Sequence, residues 1–110
     1  MVKYIPSRGD MVWLEFSPTK GHEIQKTRPA IALSPKSYHK KTDLGLFVPI
    51  TSQEKGYPFE VKITFGDIQG VVLCDQVRSI DWQARKASFI CALPESVVDE
   101  IMAKMMTLLE

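Results

Sequence analysis

Asp10-Met11-Val12-Trp13-Leu14-Glu15-Phe16 lies between the turn formers Arg8-Gly9 and Ser17-Pro18, and its reading decides the fold class. Met11, Trp13 and Glu15 alternate with Val12, Leu14 and Phe16, a period of two that belongs to a β-strand. Both sides of that alternation are largely apolar, which predicts a central strand covered on both faces.

Working outward, residues 17–27 are polar, contain Pro18 and Gly21, and show no apolar period. They predict a loop that is long for so short a chain, and long loops between rigid strands often carry function. Residues 29–33 and 46–50 are short apolar runs bounded by Pro35 and Gly45, the pattern of buried strands, with a turn or one helical turn over 37–41. Residues 59–64 alternate as a half-buried strand, and 70–74, 77–82 and 88–91 add three more short ones. Only the end reads as helix. After Pro94, placed at the first helical position, Val97, Val98, Ile101, Met102, Met105, Leu108 and Leu109 recur at steps of three and four. Five to seven short strands closed by one C-terminal α-helix predict a mainly β fold, a small curled barrel.

The chain has 110 residues, enough for one domain over 1–110 with its own core. Its apolar fraction of 45% and charged fraction of 25% exclude disordered, collagen-like and membrane classes. The first residues lack the apolar core of a signal peptide and no segment has the length of a membrane span, so the expected location is the cytoplasm, away from membranes. Cys74 and Cys91 sit in apolar runs without Cys-x-x-Cys spacing, which predicts reduced core thiols.

The formal net charge is only +1, so distribution matters more than total. Residues 20–41 carry Lys20, Lys26, Arg28, Lys36, Lys40 and Lys41 against Glu23, whereas 95–110 carry Glu95, Asp99, Glu100 and Glu110 against Lys104. Charge alone leaves two readings open for the first third: an anionic partner, or ordinary solvated lysines. No His-x-x-x-His, Cys-x-x-Cys or carboxylate cluster supports a metal centre, and no Gly-x-Ser-x-Gly elbow or glycine-rich phosphate loop supports those chemistries. The expectation is metal-free chemistry with no cofactor, or no chemistry.

The ordered series Ser17-Pro18-Thr19-Lys20-Gly21, Arg28-Pro29-Ala30, Val48-Pro49-Ile50-Thr51-Ser52, and Gly70 through Asp81 (GVVLCDQVRSID) resembles the MazF/PemK/Kid family of type II toxins. Gly9-Asp10 and Lys55-Gly56-Tyr57-Pro58-Phe59-Glu60-Val61 fit the same pattern, so the resemblance spans nearly the whole chain. It implies a homodimeric, SH3-like barrel that cleaves single-stranded RNA without metal, leaving a 2′,3′-cyclic phosphate and a 5′-hydroxyl, with a MazE-like antitoxin carrying an acidic tail as partner. Such ends mean that the RNA's own 2′-hydroxyl attacks, so the protein orients it, moves two protons and stabilises the phosphoryl oxygens.

Arg28 matches the family's catalytic arginine; a guanidinium fork that grips two phosphate oxygens is its simplest role. Thr51 matches the catalytic threonine, an orienting hydroxyl rather than a base, with Ser52 as a second hydroxyl for the phosphate. Glu23 matches an acidic position whose carboxylate would accept the 2′-hydroxyl proton, with His22 beside it. Lys20, His22, Ser52, Gln53, Lys55, Asp75 and Gln76 are the expected RNA contacts, and Tyr57 and Phe59 are either base-stacking or core. Asp75 matches the acid of the family's Asp-Gln step, although Kid-like members have an arginine where this chain has Leu73. Trp13, Arg28 and Trp82 are the expected antitoxin contacts. Read locally, without the resemblance, Arg28 is a surface ion-pair residue and Thr51-Ser52 a strand end. A second function class, a non-catalytic CcdB-like toxin that binds DNA gyrase, shares the barrel.

Overall fold

The structure, a computed structural model, describes residues 3–16 and 26–110. Lys20, His22 and Glu23 lie outside the described residues. Among those described, the strands are β1 (Asp10–Phe16), β2 (Lys26–Ala32), β3 (Leu44–Thr51), β4 (Glu60–Phe65), β5 (Ile68–Leu73), β6 (Arg78–Asp81) and β7 (Ser88–Ala92). The helices are α1 (Lys36–Thr42) and α2 (Glu95–Met106), followed by a 3-10 turn over Thr107–Leu109. The strand order is β4-β5-β3-β2-β1-β7, with β6 pairing β3, and the pairings are antiparallel. The result is a curled sheet with one C-terminal helix, the mainly β architecture expected.

β1 matches its expected bounds and is central, between β2 and β7. β2 starts earlier than the apolar run suggests: Lys26 and Thr27 are polar, yet they pair with Phe16 and Glu15 across the sheet, so partner register extends the strand beyond its apolar core. The segment after Pro35 forms a full seven-residue helix rather than a turn, ended by Asp43 in the left-handed conformation at φ 59°.

The sheet buries apolar residues on both faces. On one side α2 lays Val98, Ile101 and Met105 over Met11, Ile31, Val48, Val61 and Val72. On the other, Val12, Leu14, Ala30, Phe47 and Ile80 pack with Trp82. Pro94 sits one residue before α2 rather than at its first position, where its carbonyl accepts the Val97 and Val98 amides. Leu108 and Leu109 do not continue the buried stripe: the tighter 3-10 turn changes the angular step, and Leu109 is 72% exposed.

His39 is fully buried. Its Nδ1 lies 2.7 Å from the Pro6 carbonyl, which can only accept, so Nδ1 carries the proton and Nε2 accepts from Ser34 Oγ at 2.6 Å. Ser34 Oγ in turn accepts the Leu46 amide. This chain ties the N-terminal segment, α1 and β3 together, and Gly45 leaves room for it: a Cβ there would come within 2.7 Å of the imidazole.

Of the two free thiols, Cys74 is buried as expected, whereas Cys91 on β7 is only half-buried. Burial pushes the Cys74 thiol up from 9.0 to about 11. Folding therefore favours the neutral thiol, a contribution complete below 9.0 and lost as pH rises toward about 11.

Two outcomes follow from this packing. At about pH 8 a thiol-specific reagent is expected to modify Cys91 first and Cys74 only on unfolding, and thermal stability should fall less above pH 9 in Cys74→Ala than in the parent. At Gly70 a Cβ would collide with the Thr51 carbonyl oxygen. Gly70→Ala is expected to cost about 1–3 kcal/mol in denaturant unfolding by wedging β5 from β3.

Candidate functional site

The ladder between β2 and β3 is short, with Ala32 opposite Phe47, Ile31 opposite Val48 and Ala30 opposite Pro49. It stops where both strands carry proline, Pro29 and Pro49, neither of which has an amide hydrogen to donate. Continued by two residues, the same register sets Arg28 across from Thr51. There β3 turns to β5 instead, with Thr51 opposite Val71, while β2 stays with β1, with Arg28 opposite Leu14.

The opening between the strands is a groove of about 410 Å³ that Arg28, Pro29, Pro49, Thr51, Gln76 and Arg78 help to line. Arg28 and Arg78 both line it, and among the described residues no carboxylate does. Both arginines are exposed, and neither has an ion pair or side-chain hydrogen bond with a described residue. Thr51 is half-buried, and its Oγ1 accepts the Gln53 amide at 3.2 Å. That bond leaves the hydroxyl hydrogen free to donate into the groove.

Beside the groove lies a second pocket of about 140 Å³, lined by Gln53, Lys55, Tyr57 and Asp75 and sharing Thr51, Leu73 and Gln76 with it. Glu60 builds its wall. Its carboxylate accepts the Lys55 amide at 3.1 Å and the Gly56 amide at 2.9 Å, with Gly56 at φ 79°, so residues 53–57 are folded over the pocket. Lys104 of α2 donates to the Glu60 carbonyl at 3.0 Å, which fixes this corner to the core.

Arg28, Thr51 and Gln76 thus share the groove, and Gln53, Lys55 and Asp75 share the adjoining pocket. Ser52 is not with them. Alternation along the chain sends it to a separate depression with Lys62, Thr64 and Gln69, so a second hydroxyl on the same phosphate is not what the structure presents. Trp82 also departs from expectation: at 3% exposure its ring is part of the core and offers no docking surface. Trp13 is 36% exposed but pairs with Pro29, and so points to the opposite side of the sheet from Arg28.

Arg78 was not among the residues expected from sequence. The signal was present in the alternation of β6, since Arg78 shares a face with Ile80, which is buried and lines the same groove. Among the described residues no cluster of His, Cys, Asp and Glu could hold a metal ion, and no helix is long and apolar enough to cross a membrane.

The chain is 51% identical over 86 residues to the endoribonuclease toxin MazF of Escherichia coli strain K12, covering 78% of each protein. It is 33% identical over 107 residues to the Escherichia coli endoribonuclease PemK, covering 93% of this chain and 80% of that one. In three dimensions it is similar to the crystal structure of MazE-MazF from Deinococcus radiodurans, with a TM-score of 0.90, 44% identity and 97% of each chain covered. A mycobacterial endoribonuclease solved with its cognate antitoxin, at 17% identity and a TM-score of 0.74, shares the fold. The model of the PemK-like, MazF-like toxins matches residues 7–109. With its groove, its Arg28 and Thr51 and these relatives together, the chain belongs to the PemK-like, MazF-like toxins of type II toxin-antitoxin systems.

Proposed function

We propose that residues 1–110 form one toxin domain that cuts single-stranded RNA at the groove between β2 and β3, without metal or cofactor. The observation that carries this is the register that sets Arg28 opposite Thr51 across a groove that Arg28 and Arg78 line with two cations. Such a groove suits a phosphodiester, and the adjoining pocket suits part of a nucleotide.

In the reaction the 2′-oxygen attacks the neighbouring phosphorus while its proton passes to a base. The bond from phosphorus to the 5′-oxygen breaks, and that oxygen takes up a proton. The products are a 2′,3′-cyclic phosphate and a 5′-hydroxyl. Arg28 clamps the phosphoryl oxygens as charge gathers on them, and Arg78 adds a second cation along the strand. Thr51 donates its hydroxyl hydrogen to the phosphate, held in place by the Gln53 amide. Glu23 is the proton acceptor, with His22 and Lys20, close to it in sequence, as further RNA contacts. Gln53, Lys55, Asp75 and Gln76 contact the RNA beside the cut.

The protein works in the cytoplasm as a homodimer. A MazE-like antitoxin with an acidic tail would compete for the cations of this groove, Arg28 included, with Trp13 at a separate contact. Gyrase binding, the other reading of such a barrel, gains nothing from the relatives described.

Purified protein is expected to cut mixed-sequence RNA in excess chelator and leave 5′-hydroxyl ends; intact RNA, or cutting that disappears on chelation, would sink the proposal. A 2′-deoxy nucleotide before the cut should block cleavage there. Arg28→Ala is expected to lower kcat/KM by about 10²–10³-fold, as loss of one preorganised charge-stabilising donor does. Arg78→Ala should weaken RNA binding evenly across sequences and flatten the salt dependence by about 0.7 in log–log slope, the value for one lost phosphate contact on a single strand.

A further inference from the structure

We infer that the pocket beside the Arg28–Thr51 groove is a nucleobase site that takes a base bearing an exocyclic amino group and rejects uracil. The inference rests on the RNA-cleaving reading above, because the pocket shares Thr51, Leu73 and Gln76 with the groove. Whatever fills it belongs to a nucleotide next to the phosphate held by Arg28.

The chemistry of the two spaces divides the nucleotide between them. Among the described residues the groove holds two arginines and no acid. Among the described residues the pocket holds Asp75 and Glu60 against Lys55 alone, a poor place for a phosphate. Its volume of about 140 Å³ suits one base rather than two. Tyr57, 58% exposed, offers a flat ring, and Leu73 adds an apolar surface, so a planar ring is the natural occupant.

The polar rim chooses among the bases. Glu60 is committed, since its oxygens already accept the Lys55 and Gly56 amides. Asp75 is exposed and has no hydrogen bond or ion pair from its side chain to a described residue. A carboxylate only accepts, so it selects an edge that donates. Adenine, cytosine and guanine each offer an exocyclic amino group, whereas uracil flanks its single N–H with two carbonyl oxygens that repel a carboxylate. The Gln53 and Gln76 amides, able to donate or accept, complete the edge without setting this preference.

The test uses a randomised single-stranded DNA pool, in which thymine presents uracil's edge and no 2′-hydroxyl permits cutting. Sequences retained by the intact protein are expected to be depleted of thymine at one position by at least about tenfold, the discrimination of one good base contact. Asp75→Asn, whose amide also donates, should erase that depletion, and Tyr57→Ala should weaken selection of any base at the same position. A pool retained with no thymine depletion, or a depletion unchanged in Asp75→Asn, overturns the inference. Cleavage-end sequencing of a matching RNA pool tests the enzyme reading separately: base selection without cleavage would overturn the RNA-cleaving reading and leave the pocket assignment standing.

Discussion

Two missing amide hydrogens, those of Pro29 and Pro49, shape the working part of this molecule. A sheet closes wherever donors and acceptors keep pace, and here the β2–β3 ladder ends at Ala30 and Pro49. Beyond that point β3 satisfies its backbone against β5, and β2 against β1. The gap is therefore built into the hydrogen-bonding pattern, and it opens between two residues that would otherwise face each other as an ordinary cross-strand pair. Pairing with β1 and β5 holds the backbones of Arg28 and Thr51 on the two sides of the gap.

Much of the fold was legible because strand alternation survives in the sequence. β1 could be bounded to the residue, as its apolar faces are flanked by unmistakable turn formers. β2 could not, because Lys26 and Thr27 become strand through pairing with β1, a non-local cause that no window of sequence contains. The α2 stripe was readable to Met105 but not beyond, since the change from helix to 3-10 turn leaves no apolar signature.

The site was legible in a different way. Arg28 and Thr51 are 23 positions apart and locally ordinary; only the ordered resemblance singles them out, and the register brings them to two sides of one groove. Arg78 was overlooked because an arginine on a short strand looks like any solvated cation until its neighbour Ile80 is placed in the groove wall. Ser52 was grouped with Thr51 by adjacency, and the period of two separates neighbours onto opposite sides. Trp82 is an antitoxin contact by resemblance, whereas its ring helps to fill the smaller of the two cores.

The buried His39 network divides the sequence into parts that are free to vary and parts that are not. Ser34, His39, Gly45 and the Pro6 carbonyl fit one another through hydrogen bonds and a missing Cβ, so a change at one demands a matching change at another. The groove and pocket side chains Asp75, Gln76 and Arg78 stand in solvent and bear no such mutual obligation. A lineage of such proteins is thus able to vary the lining of its groove and pocket one residue at a time, while inheriting the scaffold as a block.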